Sequence, residues 1–247
     1  MIRLPVARYN EFIELSPADL AALGEAGGPE LRYPRNQRIR TQGDRVTCVY
    51  LLVDGWVASS IDLANGHRQI VKIHLPGDLM GVPSITLSRA AETLTPFTLS
   101  VVRPVPLAAM GSILLSRPRL TAALFLSAQQ ERIILMDRIT SLGRTNSAQR
   151  LATFLLHIYD RLRFLEPDLG TTFAMPITQE QIADVIGLTP IHVNRVFRRL
   201  EAAGLIIRQG RDITLTDPDA LREMSGMPER RWLRQPEWLA GDGTSAS

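Results

Sequence analysis

Lysine is all but missing from this sequence: Lys72 stands alone, so 27 of the 28 cationic side chains are arginine. Cysteine is nearly as scarce. A single Cys48 excludes an internal disulfide and any zinc or iron–sulfur site built from several cysteines. Aromatic residues make up only 6%. No run of about 18 apolar residues occurs, so no helical membrane span is expected. The segment from Met1 to Arg8 lacks the apolar stretch and small-residue cleavage site of a secretory signal, and the expectation is a soluble cytoplasmic protein.

What is present is a globular composition. The 247 residues are 45% apolar and 21% charged, which excludes a disordered or collagen-like chain and suits one large or two modest domains. The net charge of +3 is small, but its distribution is uneven. Between Thr189 and Arg211 lie Arg195, Arg198, Arg199, Arg208 and Arg211 against one acid, Glu201. From charge alone such a cluster reads as a solvated helix face; its surroundings decide otherwise.

The first part of the chain has the punctuation of a β domain. Gly43, Gly55, Gly66 and Gly77 separate short runs rich in Val, Ile and Leu, as in a sandwich or barrel. Val46 to Val53 reads as a strand buried on both faces, with Cys48 as a small core residue. Trp56 to Asp62 alternates, placing Val57 and Ile61 on one face. Asn65-Gly66 predicts a tight hairpin with positive φ angles, and Arg68 to Leu75 returns from it. Phe97 to Leu107 is a further strand, whose Pro104 and Pro106 predict an edge or an end.

From about Arg119 the period becomes helical. Leu120 to Leu142 contains neither Pro nor Gly, and Phe125, Ala128, Leu135, Ile139 and Leu142 form an apolar stripe interrupted by Arg132. The stripe suits either the inside of a monomer core or a seam between two copies. A second helix from about Thr145 to Phe164 turns Leu151, Phe154, Leu155 and Ile158 inward, and Glu166 to Gly170 is a loop.

The most specific pattern follows. Thr178-Gln179-Glu180-Gln181 is a capping box, and the helix it opens carries Ile182, Ala183 and Ile186 inward before stopping at Gly187. Thr189-Pro190 is a second start, an N-cap residue followed by proline at the first helical position. Val193, Val196, Phe197 and Leu200 continue inward, and Gly204 ends the helix. Two helices crossing steeply need a small residue at their contact, Ala183, and a turn residue that tolerates left-handed φ, Gly187. Leu205 to Arg208 and Arg211 to Leu215, around Gln209-Gly210, then read as a two-stranded wing. Phosphates attract such charge, while side chains near the helix start reach base edges. Double-stranded DNA is the expected partner.

The glycine-punctuated β segment, with Tyr50 to Val57 and Leu75 to Gly81, then a long helix, then this winged helix-turn-helix, resembles the cyclic-AMP receptor/anaerobic regulator (CRP/FNR) family over roughly Leu15 to Leu221. The resemblance implies an α+β chain: an N-terminal β-roll sensor (a cyclic-nucleotide-binding-like jelly roll) over residues 1–116, a long dimerisation helix over 117–143, a winged helix-turn-helix over 144–222, and a tail over 223–247. It implies a homodimeric transcription regulator on a palindromic operator, in contact with RNA polymerase, and not an enzyme. Onto this sequence it carries Thr189, Pro190, Ile191, His192, Asn194, Arg195, Arg198, Arg199, Arg208 and Arg211 as DNA-binding residues. Arg195 is expected to bond a guanine O6/N7 pair, and Arg198 and Arg199 to bind phosphates unless one pairs with Glu201 or Asp184. Where relatives often carry Arg and Glu, this chain has Pro190 and Ile191; Ile191 cannot accept from cytosine N4 and favours a thymine methyl or no base.

Nucleotide-binding relatives use Gly-Glu for the ribose and Arg-Ser/Thr about ten residues later for the phosphate. The matching stretch is Gly81-Val82-Pro83-Ser84 and then Leu94-Thr95, a degenerate cassette without carboxylate or guanidinium, so cyclic AMP is not expected. Arg89 nearby reads as a solvated loop residue. No cofactor and no metal is expected. His67 and His74 lie seven apart without the acidic partner that a metal-dependent cupin needs. A regulator controlled by its abundance, or by an unidentified small ligand in the roll, stays open. Trp232-Leu233 and Trp238-Leu239 in the tail suit packing on the chain itself, on the DNA-binding domain or on a partner.

Overall fold

The computed structural model describes residues 7–233 and 235–239. A short helix α1 (Pro17–Glu25), capped by Ser16, precedes the β-roll. One sheet has the order β1 (Leu31–Tyr33), β7 (Ser100–Pro106), β2 (Cys48–Asp54), β5 (Leu79–Met80). The other runs β4 (Arg68–His74), β3 (Val57–Asp62), β6 (Thr93–Pro96). Leu52, Val57, Met80, Leu94 and Val102 fill the space between them. The turns need their glycines: a Cβ on Gly55, at φ +93, would lie 2.5 Å from the Ser100 hydroxyl oxygen.

Several local expectations change in three dimensions. The second strand starts at Cys48, which pairs with Pro106 at the sheet end and is half-buried rather than a core residue. At Asn65-Gly66 only Gly66 has positive φ; its N–H bonds the Leu63 carbonyl and the hairpin is a longer loop than the tight turn expected. A bulge between Ser59 and Ser60 breaks the alternation of β3, leaving Val57 buried and Ile61 exposed. Of the two alternatives for the strand holding Pro104 and Pro106, the end holds and the edge does not: β7 stops at Pro106 but lies between β1 and β2. Pro104 is tolerated because the pairing with β1 does not extend past Val102, and Gly28 on that side donates to the Pro104 carbonyl at 2.7 Å without needing an N–H from the proline.

After α2 (Leu107–Ser116) the chain forms the long helix α3 (Pro118–Arg144). Its inner face buries Leu120, Ala123, Ser127, Gln130 and Ser141. Most of the apolar stripe faces away: Phe125, Ala128, Leu135 and Ile139 are exposed together with Met136, while Leu142 at its end is half-buried against Gly187 of the same chain. Helix α4 (Ser147–Leu165) follows an Asn146 capping box and buries Leu151, Phe154, Leu155 and Ile158 as the periodicity predicts.

The C-terminal domain comprises β8 (Thr172–Ala174), α5 (Gln179–Ile186), α6 (Pro190–Ala202), β9 (Ile206–Gln209), β10 (Asp212–Leu215) and α7 (Pro218–Ser225). The wing gains a third strand that the sequence reading missed, in the order β8-β10-β9. Beyond α7 the tail folds back along α3. Arg230 forks onto Asp137, the Gln235 N–H donates to the Phe12 carbonyl, and Trp232 and Trp238 line a pocket of about 420 Å3 with Phe12, Leu126 and Ile133. The tail thus packs on its own chain; residues 240–247 lie outside the described residues. Among the described residues no helix is long and apolar enough to cross a membrane.

Candidate nucleic-acid interface

Local capping sets the two crossing helices. The Thr178 hydroxyl accepts from the Gln181 N–H at 3.2 Å, and the Gln181 side chain accepts from the Thr178 N–H at 2.8 Å. Ile182, Ala183 and Ile186 are buried. Gly187 ends α5 at φ 66, ψ 43, and its missing side chain leaves room for Leu142 of α3, whose Cδ2 would lie 3.2 Å from an added Cβ. Helix α6 then starts on Thr189, whose hydroxyl accepts from the His192 N–H at 3.3 Å, with Pro190 in the first turn. Val193, Val196, Phe197 and Leu200 seat it on the core.

The opposite side of α6 is open. Thr189, Pro190, Ile191, Arg195, Arg198 and Arg199 are all exposed, Ile191 to 77%. Arg211, at the wing turn beside Gly210, is exposed on the same domain. The two acids that might have neutralised these cations are occupied elsewhere: Glu201 pairs with Arg208 and Asp184 with Arg68 of the roll. Among the described residues no ion pair engages Arg195, Arg198, Arg199 or Arg211. The helix start adds unpaired backbone N–H groups and the positive end of the helix dipole.

Three of the expected DNA-binding residues stand apart from that open set. Asn194 is half-buried. His192 is half-buried and its ring lies 3.2 Å from the Ser147 hydroxyl, which ties α6 to the start of α4. Arg208 donates through Nε and Nη2 to the two carboxylate oxygens of Glu201, each at 2.8 Å, and its guanidinium stacks 4.4 Å from the centre of the Phe197 ring. The hydrogen bonds from Arg208 hold the Glu201 carboxyl below its ordinary range.

The cassette residues are not brought together as the spacing suggested. Leu94 is fully buried in the roll core and Thr95 pairs with Ala58, while Gly81, at φ 82, and half-buried Val82 lead into a short 3-10 turn. Ser84 is buried, but its partners are Arg40 and Glu92, which the sequence reading missed. Arg40 donates to Glu92 at 2.6 Å, and the Ser84 hydroxyl donates to the other Glu92 oxygen at 2.8 Å. A Cβ on Gly81 would lie 2.7 Å from Arg40 Nη1, so glycine is required for the guanidinium to fit. Counting about ten residues from Val82 falls on Glu92 rather than Leu94, and that count was the available signal. Arg89 is exposed and bonds the Gly43 carbonyl at 2.9 Å. His67 is exposed on its hairpin, whereas His74 is buried with its ring 2.7 Å from the Ser59 hydroxyl, so the two do not converge. Among the described residues no cluster of three or more His, Cys, Asp or Glu could hold a metal ion.

Roll and DNA-binding domain meet along β4. Arg68 and Gln69 reach Asp184 and the α5 backbone; Arg138 of α3 donates to the carbonyls of Ile70, Val71 and Val185. Arg161 of α4 bonds the Ile73 carbonyl and both oxygens of Asp78. Asp78 also meets Arg8, and Lys72 and Arg8 share Glu131 of α3. Burial, against the pull of Glu131, brings Lys72 down to about 7. Ile70, Ile73, Ala58 and Phe97 of the roll join the core of the C-terminal domain.

Comparison with known proteins agrees with this architecture. A cyclic nucleotide-binding domain family matches residues 30–116 and a Crp-like helix-turn-helix domain family matches residues 149–224. The nitrogen fixation regulation protein FixK of Rhizobium meliloti is 30% identical over 218 residues, 87% of this chain and 93% of the relative. The transcriptional activatory protein AadR of Rhodopseudomonas palustris is 29% identical over 83% of this chain and 84% of its own length. The solved structure of FixK2 from Bradyrhizobium japonicum superposes with a TM-score of 0.74 at 26% identity, covering 81% of this chain and 98% of that one. A β-roll joined through a long helix to a winged helix-turn-helix defines a DNA-binding transcription regulator. The chain belongs to the CRP/FNR family of such regulators.

Proposed function

We propose that this regulator binds a palindromic operator as a homodimer, joined along the outer stripe of α3, with its two α6 helices in successive major grooves about 34 Å apart. The observation that carries this reading is the open side of α6, where among the described residues Arg195, Arg198 and Arg199 form no ion pair and Arg211 flanks them on the wing. Arg195 bonds a guanine in the major groove, and Arg198, Arg199 and Arg211 bind phosphates. Ile191, exposed one helical turn before Arg195, contacts a thymine methyl where relatives with glutamate accept from cytosine. Asn194 and His192 border this surface. The protein acts in the cytoplasm as a binding protein rather than an enzyme, and alters transcription through contact with RNA polymerase.

Cyclic AMP is not its effector. The roll has an apolar Val82 in place of the ribose-binding carboxylate, and a buried carboxylate, Glu92, already paired with Arg40 where a phosphate would need a free cation. Burying a second anion beside it is unfavourable. Selection of bound duplexes from random DNA tests the operator reading. The expected product is an inverted repeat with a guanine and a neighbouring thymine in each half-site. Glutamate at position 191 should exchange that thymine for cytosine. Recovery of unrelated, non-repeated sequences would refute the reading.

A further inference from the structure

Glu201 poses a physical question. It is the one acid between Thr189 and Arg211, in the segment that meets a polyanion, and its charge opposes that encounter. Its carboxylate is fully engaged: both oxygens accept from Nε and Nη2 of Arg208 at 2.8 Å. This parallel two-bond pairing constrains the guanidinium plane as well as its position. The same plane lies over Phe197, one turn earlier on α6, at 4.4 Å from the ring centre. Phe197 is 2% exposed and anchored in the core. Arg208 sits in β9 opposite Ile213 of β10, so whatever holds Arg208 also holds the wing hairpin. Both partners are shielded, with side-chain exposures of 23% and 30%.

We infer that Arg208 is a positioning residue rather than a phosphate contact: its fork onto Glu201 and its stacking on Phe197 set the angle between α6 and the wing, so that Arg211 meets the backbone while Arg195 meets a base. This inference rests on the DNA-binding reading and removes one cation from the phosphate-binding set. It also makes a prediction opposite in sign to simple electrostatics. Were Arg208 a phosphate ligand held back by Glu201, neutralising Glu201 would free a cation and tighten binding. With a clamp, the same change loosens the wing and weakens specific binding.

The experiment uses the full-length chain and the duplex recovered by selection. E201Q is expected to bind that duplex about tenfold or more weakly, the factor that goes with roughly 1.4 kcal/mol, without weaker binding to random-sequence DNA. R208K, which keeps the charge but not the planar fork, should behave like R208Q rather than like the wild type. The slope of log affinity against log salt should be unchanged in R208Q, whereas R211Q should lose about 0.9 of a unit, the share of one phosphate. The double variant E201Q/R208Q should be no weaker than either single variant, because both remove the same interaction. Backbone hydrogen exchange supplies a readout independent of DNA: E201Q should raise exchange across residues 206–215 while exchange in β2 and β7 of the roll is unchanged. Tighter operator binding by E201Q, wild-type affinity in R208K, a reduced salt slope in R208Q, or unaltered exchange in the wing would each overturn the clamp. Failure of the wild type to bind any duplex in dilute buffer would instead overturn the DNA-binding reading, while the exchange result still judges the clamp.

Discussion

His74 is buried and His157 half-buried near Arg161 and Lys72, and loss of hydration is the first cause that keeps both rings neutral. The His157 pKa falls from 6.5 to about 3, and that of His74 falls well below 6.5. In the unfolded chain both take up a proton near pH 6.5, so between pH 6.5 and the folded value the unfolded state binds more protons. The share of stability set by these two rings is therefore complete above about pH 6.5 and falls as the pH drops, by about 1.4 kcal/mol per pH unit for each ring. Urea unfolding at pH 7.5 and pH 5 should show this loss, and His157→Asn should flatten the slope by one ring's share. At Gly187 the constraint is steric instead. With φ at +66 and Leu142 against it, Gly187→Ala should destabilise the chain by about 1–2 kcal/mol in thermal unfolding. The glycine was legible in the sequence as the hinge of two capped helices. The two histidines were not, because a neutral ring shielded from water and a solvated one look alike in a string.

Among the elements, α3 has the clearest unpaired surface. Its inner face meets its own chain, while Phe125, Leu135, Met136 and Ile139 point outward. Ile139 is 70% exposed, so Ile139→Asp removes little packing within one chain. The variant should fold with an unchanged melting curve at low concentration yet sediment as a monomer and lose most of its operator affinity. A sedimentation coefficient equal to the wild type's would remove the stripe from the dimer seam. The period of α3 was legible, but periodicity finds an apolar stripe without saying what covers it. The path of the tail was less legible still: Trp232 is half-buried and Trp238 stays 68% exposed, and their place along α3 depends on Arg230 finding Asp137, 93 residues earlier in the chain.

At the scale of the whole molecule, β4 is where the roll holds the DNA-binding domain. Arg138 carries three carbonyls from two domains on one guanidinium, and its burial lowers its pKa to about 10, so it stays charged near neutrality. Arg138→Met keeps much of the stem but removes the fork. Hydrogen exchange should then rise across residues 68–74 and 179–187 and remain unchanged in β2 and β7. Exchange confined to its wild-type pattern would show that apolar contact alone holds the domains. The three carbonyls that this fork satisfies make the seam costly to open, because leaving buried polar partners unpaired costs about 1–3 kcal/mol each.

The residue string by itself determined the glycine turns of the roll, the Thr178 and Thr189 caps, the left-handed hinge at Gly187 and the inward faces of α4, α5 and α6. Each depends on groups within a few residues of one another, which sterics and capping resolve locally. Only the tertiary structure decided that Glu92 meets Arg40 in the roll, that Arg208 turns to Glu201 instead of solvent, and that Asp184 belongs to Arg68. The last of these pairs joins positions 116 residues apart. A charged side chain takes whichever partner the folded backbone brings within reach, and that distance exists only once the sheets and helices have packed.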